Sequence, residues 1–203
     1  MNDKVIKTID NLRINGYEVD YFENCEEAKK ALLNEITKDK SVGIGGSQTI
    51  YDIGIHEDLI NRGSEVYWHW LVDNERKDKE RVKASNSSVY LSSSNALTQD
   101  GKIVNIDGLG NRVASIIYGH DKVYIVSGIN KITLDVNEAI KRIKREACPK
   151  NAKRLNLDTP CRYTGECNDC NSNQRMCNVT VVLDKKPMQS EIKVILVNEE
   201  LGY

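Results

Sequence analysis

The sequence lacks long apolar runs, is poor in aromatic residues and has no excess of charge of either sign. It has one Phe, 6% aromatic residues, and 29 Lys+Arg against 30 Asp+Glu. A formal net charge of -1 excludes attraction to polyanions by bulk electrostatics, so we expect no nucleic-acid partner. Without an apolar run long enough for a bilayer, no membrane insertion is expected. The first residues lack the apolar core of a secretion signal, which favours a cytoplasmic location.

Histidine is scarce as well. The chain has three, His56, His69 and His120, and they are scattered along it. None has a neighbouring acid or nucleophile of the kind that forms a catalytic triad, so each is expected to be structural or at the surface. The sequence therefore names no catalytic residue.

Helix and strand patterns alternate along the chain, which predicts an α/β fold with an open, mostly parallel sheet flanked by helices. We expect one domain over residues 1–203, with an α/β core at 1–147. A Cys-rich, metal-binding segment follows at 148–178, and strands at 179–203 close the sheet. Residues 73–84 are almost all charged and are interpreted as a solvated helix. Pro149 is expected to end the helix that begins near Asp135.

Glycines follow the predicted strand that begins at Val42. In the run Val42-Gly-Ile-Gly-Gly-Ser-Gln-Thr49, Ser47 can cap a helix, and its first N–H groups favour an anion. Glycines allow a ligand to approach the backbone closely. The alternative is an ordinary tight turn between strand and helix with a good cap.

A second loop repeats the pattern with charged groups. In Asn105-Ile-Asp-Gly-Leu-Gly-Asn-Arg112, Asp107 can accept hydrogen bonds from ligand hydroxyls, and Arg112 can pair bidentately with a carboxylate or phosphate. Alternatively, Asn111 is only a cap and Arg112 a surface residue. Two such loops favour a cleft at the carboxyl ends of the strands, with a third strand end at the same rim. The predicted ligand-binding residues are Gly45, Gly46, Ser47, Thr49, Asn95, Asp107, Gly108, Gly110, Asn111, Arg112, Asn130 and Lys131.

Five of the six cysteines lie within thirty residues, from Cys148 to Cys177. Cys167 and Cys170 form a bidentate clip, and Cys161 and Cys177 can complete a tetrathiolate. A [4Fe–4S] cluster is favoured, and zinc is the alternative. Reduced, unliganded thiols remain a third interpretation. Cys148 is a possible substitute or fifth thiol, and Cys25 is expected to begin a helix and have no role.

The strings GIGGSQT, SSSNALTQDGKIVNIDGLGNRVASIIYG and VSGINKI together resemble the LUD domain of lactate-utilisation proteins. The tail PCRYTGECNDC…RMCN resembles that of a short, single-domain branch, so the resemblance covers essentially the whole chain. It implies a fold like that of sugar-phosphate isomerases and coenzyme A transferases. It also implies a system that oxidises lactate to pyruvate, with iron–sulfur subunits as possible partners, or a homo-oligomer. In that superfamily the two glycine loops hold phosphate or acyl groups.

Two departures from the family pattern limit what the resemblance implies. Relatives often have an acid where this chain has Gln99, and an amide cannot replace the glutamate nucleophile of a coenzyme A transferase. The chain also lacks the ferredoxin-like region of the larger subunits, so only the tail cysteines can hold a cluster.

Three functions are therefore expected in order. The first is a lactate-utilisation protein that binds a small hydroxy or keto acid, or its activated form, and carries an iron–sulfur cluster for electron transfer or Lewis-acid chemistry. The second is an enzyme acting on a phosphorylated or coenzyme A-linked substrate, with a structural zinc. The third is a non-catalytic accessory or sensor protein that keeps the pocket.

Overall fold

A six-stranded, wholly parallel sheet organises the chain, and the computed structural model describes residues 1–203. Across the sheet the strands are β1 (Glu18–Phe22), β10 (Ile192–Val197), β7 (Lys122–Gly128), β4 (Val89–Ser92), β2 (Val42–Ile44) and β3 (Val66–Tyr67). The predicted α/β class with a mostly parallel sheet is confirmed.

A smaller, four-stranded sheet stands beside the first. Its strands, in order, are β8 (Ile132–Thr133), β5 (Ala96–Thr98), β6 (Ile103–Asp107) and β9 (Val179–Leu183). The expectation that both closing strands return to one sheet is wrong for β9, which pairs antiparallel with β6. The burial of the two strands explains the difference. β10 is buried along its whole length and suits the middle of a sheet, whereas β9 is half-exposed and suits an edge.

Helices cover both faces of the parallel sheet. Side chains of neighbouring strand residues point to opposite faces, so Tyr90 and Ile125 belong to one apolar cluster, and Leu91 and Val126 to the other. The helices are α1 (Asp3–Ile14), α2 (Cys25–Glu35), α3 (Gln48–Ile53), α4 (Ile55–Asn61), α5 (Lys77–Ser85), α6 (Asn111–Ile117), α7 (Val136–Arg142), α8 (Cys148–Arg154) and α9 (Pro160–Thr164). None is long and apolar enough to span a membrane.

The prediction that Pro149 ends its helix is wrong. A π turn over Ile143–Ala147 follows α7, and α8 continues directly from it, with Pro149 in its first turn. Proline has no N–H to donate, and it fits there because the π turn immediately before it interrupts the regular hydrogen-bond pattern of the helix. Cys148 and Ala152 are thereby buried against the domain, so the start of the predicted Cys-rich segment belongs to the α/β core.

Candidate functional site

A cavity of about 610 Å³ opens where several strands end. Its wall takes residues from the loops after β2, β4, β6 and β7, and its opposite side comes from α5, α8 and the segment after β3. Most of the predicted ligand-binding residues line it: Gly46, Ser47, Thr49, Asn95, Asp107, Gly108, Asn111, Arg112 and Lys131.

Three of the predicted ligand-binding residues do not line the cavity and instead have roles in packing, backbone conformation or hydrogen bonding. Gly45 is enclosed, and a Cβ there would lie 2.9 Å from the Tyr90 hydroxyl. Gly110 precedes α6 with a φ of 86°, a conformation that favours glycine. Asn130 accepts a hydrogen bond from the Leu201 N–H at 3.2 Å. Each therefore shapes or supports the wall.

Lys131 is the most unusual residue of the cavity. Its side chain is 3% exposed, and its Nζ donates to the Thr49 hydroxyl at 2.8 Å and the Ser93 hydroxyl at 3.0 Å. It forms no salt bridge with any carboxylate. Burial first, and then the charges of Arg142 and Arg112, lower its pKa to about 7 against the opposing effect of Asp52. An ammonium group has three donors, so one remains for a ligand.

Arg112 braces the loops that form the wall. One terminal nitrogen donates to the Ser93 carbonyl at 3.0 Å and to Asn105 Oδ1 at 2.6 Å. The other donates to Asn95 Oδ1 and to the Ile106 carbonyl, both at 3.0 Å. The expected bidentate contact with a ligand is therefore wrong for this arrangement, because protein acceptors occupy both nitrogens. Its positive charge has no carboxylate partner and still acts on the cavity.

Asp107 has a structural task beside the cavity. Its carboxylate accepts from the Gly108 N–H at 2.9 Å and the Val113 N–H at 3.2 Å, which ties the glycine loop to α6. Each carboxylate oxygen can accept a further hydrogen bond, so the expected contact with a ligand hydroxyl remains open to it.

The outer wall carries a second group of cations that the sequence reasoning missed. Lys77 and Arg81, from the run predicted to be a solvated helix, line the cavity one turn apart on α5. Arg154 of α8 lies over the Trp70 ring at 4.3 Å, while the other indole, Trp68, stacks on Trp70 with centroids 4.9 Å apart. The one available signal in the sequence was the four-residue spacing of Lys77 and Arg81, which places both side chains on the same face of a helix.

His69 is also part of this wall, contrary to the expectation of a merely structural or surface role. Burial first, and then the charges of Arg81, Lys77 and Arg154, lower its pKa to about 4 against the opposing effect of Asp107. The imidazole is therefore neutral at physiological pH and can donate or accept a hydrogen bond.

Two buried polar atoms of the lining residues have no hydrogen-bond partner: Ser94 Oγ and Arg81 Nε. Buried polar groups are nearly always paired, so these two atoms have unused hydrogen-bonding capacity in residues of the lining. The lining contains five Lys and Arg side chains against one carboxylate, that of Asp107. Charge, unpaired donors and backbone N–H groups all favour an anion.

Comparison with known proteins gives the family. A sequence model of the LUD domain matches residues 5–197. The chain belongs to the LUD domain family. The resemblance of its sequence motifs to that domain is thereby confirmed. No curated protein matches the chain.

A solved structure shares the fold of this LUD domain. It is described as the crystal structure of a DUF162 family protein from Deinococcus radiodurans, with a TM-score of 0.56 and 12% sequence identity. The alignment covers 96% of each chain, so the shared fold includes the whole LUD domain.

The tail cysteines of this LUD domain lie behind one wall of the cavity. Cys148 is buried on α8 and lines the cavity, and Cys177 packs against the same apolar cluster. The neighbouring Cys148 thiol is the main influence that lowers the pKa of Cys177 to about 7, and the charges of Arg175 and Lys144 act in the same direction. Cys161 is buried on α9, and Cys167 and Cys170 are half-buried in the polar loop.

The fit of these thiols to a metal is incomplete. Their chemistry suits zinc or an iron–sulfur cluster, but no three Cys, His, Asp or Glu side chains stand close enough together to hold an ion. The predicted set of Cys161, Cys167, Cys170 and Cys177 is not assembled, so a bound metal requires the loop to close around it.

Proposed function

We propose that this LUD domain binds the anion of a small hydroxy or keto acid, or its activated form, as part of a lactate-utilisation system. The observation that carries the proposal is the buried ammonium of Lys131, which has hydroxyl partners and no carboxylate. A buried cation without a counter-ion is costly. A ligand carboxylate at the cavity end of Lys131 offsets that cost and uses its remaining donor.

The glycine loop and the unpaired Ser94 hydroxyl supply neutral donors for the same ligand. Gly46 and Ser47 line the cavity, and their lack of bulk leaves the backbone accessible. Ser94 Oγ has no protein partner. A hydroxy or keto group next to the carboxylate would satisfy such a donor, which is how a cationic pocket can prefer these acids to acetate.

The size of the cavity leaves room for an activated form of the acid. A volume of about 610 Å³ lies in the range that encloses drug-sized ligands. The outer cations, Lys77, Arg81 and Arg154, offer positions for phosphate groups. A phosphorylated or coenzyme A-linked acid is therefore the second candidate, and the same binding experiment distinguishes it.

The proposal is tested by calorimetric titration with lactate, pyruvate, acetate, inorganic phosphate and acetyl-coenzyme A at low salt. We expect lactate or pyruvate to bind more tightly than acetate. Lys131→Met should weaken binding about 10-fold or more, since a hydrogen bond to a charged group contributes roughly 1.5–3 kcal/mol. Lys141→Met is the matched control, because Lys141 is exposed on α7 and pairs with Glu138.

Two results contradict the acid proposal. Tighter binding of acetyl-coenzyme A or phosphate than of any free acid favours the second candidate. Equal affinity of the wild type and Lys131→Met for the acid contradicts binding of the acid at Lys131 in the cavity.

We also propose that the cysteine segment binds a metal, with an iron–sulfur cluster preferred and zinc as the alternative. Five free thiols within thirty residues support it, together with the influence of Cys148 on Cys177, which lowers the pKa of Cys177 to about 7. The free thiols are not preassembled, so we derive no chemical step from the metal.

A further inference from the structure

The surroundings of the Lys131 amino group suit a nucleophile. Lysines that serve only structure are exposed or paired with acids, whereas this one is buried and hydrogen-bonded only to Thr49 and Ser93. The positive charges of Arg112 and Arg142 act on it and favour its neutral form. Desolvation next to other cations is the arrangement that activates a lysine for attack on a carbonyl carbon.

We propose that Lys131 forms an imine with the carbonyl group of an anionic ketone or aldehyde bound in the cavity. An α-keto acid is the simplest such substrate, and the inference rests on the proposed function, which places a keto acid there. It goes beyond binding because it assigns a covalent step to one named atom, Nζ of Lys131.

The step needs no oxidant or reductant. The lone pair of the neutral Nζ attacks the carbonyl carbon, the C–N bond forms as the π bond of the carbonyl opens, and one proton passes from nitrogen to oxygen to give a carbinolamine. The second proton of the nitrogen then passes to the hydroxyl group, the C–O bond breaks, water leaves, and the nitrogen lone pair forms the C=N bond. The hydroxyls of Thr49 and Ser93 contact Nζ at 2.8 and 3.0 Å, so they can pass protons between nitrogen and oxygen.

The same arrangement keeps part of the amine neutral while the cavity stays cationic. The pKa of Lys131 is lowered to about 7, so a substantial fraction of the amine carries a free lone pair at neutral pH. The substrate carboxylate is attracted by permanently charged groups, such as Arg81 and Arg154 in the lining. The anion and the nucleophile therefore need not compete for one charge.

The experiment traps the imine with cyanoborohydride. The full-length protein is incubated with pyruvate and cyanoborohydride, and the modified residue is located by intact-mass measurement and peptide mapping. Pyruvate binding is measured by calorimetry on the same preparation. We expect one stable adduct at Lys131, its loss in Lys131→Arg, which keeps the charge, and its full retention in Lys141→Met. Thr49→Val should give the same adduct several-fold more slowly.

The outcomes separate this inference from the proposed function. An adduct at Lys131 supports the imine. Pyruvate binding without an adduct at Lys131, or with labelling that Lys131→Arg leaves unchanged, overturns the imine and leaves the binding function intact. Neither binding nor labelling overturns both.

Discussion

The burial of Lys131 in the cavity wall lowers the stability of the domain when no ligand is bound. A lysine in the unfolded chain has a pKa near 10.5, whereas in the folded domain burial lowers it to about 7. The folded state therefore holds this proton less tightly than the unfolded state does. Stability lost in this way at a cavity wall is typical of a functional site, because a bound anion restores it.

Replacement of Lys131 by Met should consequently change how stability depends on pH. Between about pH 7 and 10.5 the unfolded chain holds more protons at this position, so the wild-type free energy of unfolding gains up to about 1.4 kcal/mol per pH unit from Lys131. Below pH 7 the loss of stability caused by burying the charged Lys131 is fully present. We expect Lys131→Met to have a higher free energy of unfolding than the wild type at pH 6. This difference between the two proteins should become smaller as the pH rises toward 10. Urea unfolding in anion-poor buffer measures it, with Lys141→Met as control. A gap that is constant with pH contradicts the assignment.

Individual site residues differed in how well the sequence predicted them. Lys131 and Thr49 were placed at the rim because each follows a strand of the parallel sheet, and both line the cavity. The four hydrogen bonds of Arg112 were not foreseeable, because they depend on which backbone and side-chain oxygens the loop after β4 and strand β6 present to it. His69 and Ser94 carry no local motif, so only the folded chain identifies them.

At the scale of elements, the loop from β2 into α3 contains two adjacent glycines with different tasks. A Cβ on Gly45 would meet the Tyr90 hydroxyl at 2.9 Å and Arg112 Cγ at 3.1 Å. A Cβ on Gly46 would find its nearest neighbours, atoms of His69 and Trp70, at 3.5 Å or more, which is ordinary contact. Gly45 is therefore required for packing, and Gly46 is required only for access to the cavity.

Alanine substitution at the two positions should separate stability from binding. Gly45→Ala forces Tyr90 or Arg112 to move, and we expect it to reduce the free energy of unfolding by about 1–3 kcal/mol. Gly46→Ala should cost less than about 1 kcal/mol yet weaken binding of the acid, since its methyl group enters the cavity wall. Urea unfolding and calorimetric titration of both variants measure the split. A larger loss of stability in Gly46→Ala than in Gly45→Ala contradicts it.

The elements themselves were more predictable than their partners. The alternation of helix and strand patterns gave the parallel α/β class, and Ser47, the predicted cap, accepts a hydrogen bond from the Ile50 N–H at the start of α3. The position of β9 was not predictable, because the sequence pattern of a strand does not identify the sheet or the neighbouring strand with which it pairs. The continuation through Pro149 depends on the π turn before it, and such turns have no simple sequence pattern.

At the scale of the whole molecule, α8 joins the cavity to the cysteine segment. Cys148 and Arg154, at its two ends, both line the cavity. Between them, Asn151 donates to the Met176 sulfur at 3.3 Å, next to Cys177. A change in the thiols at Cys148 and Cys177 therefore acts directly on a wall of the binding site. Chain order separates these parts by twenty or more residues, so only the fold brings them together.

This arrangement predicts which thiols hold a metal. The sequence set includes Cys170, whereas Cys148 is the thiol whose influence lowers the pKa of Cys177, and it lies at the wall of the cavity on α8. We expect protein purified without oxygen to contain iron and sulfide, or zinc, and Cys148→Ser and Cys177→Ser to lose most of it, because each removed thiolate opens the site. Absorption spectra and metal analysis measure this. Cys25→Ser is the control, since the Cys25 thiol donates a hydrogen bond to the Glu199 carboxylate in another part of the domain.

The comparison of Cys148→Ser with Cys170→Ser decides between the two ligand sets. Metal lost only in Cys148→Ser makes α8 part of the metal site, so that binding of the metal and of the acid should influence each other through Cys148. Metal lost only in Cys170→Ser restores the set Cys161, Cys167, Cys170 and Cys177, and leaves Cys148 as a cavity residue. Wild-type protein without metal after anaerobic purification with iron and sulfide supplied contradicts the metal proposal, and Cys148 and Cys177 would then be a pair of free thiols.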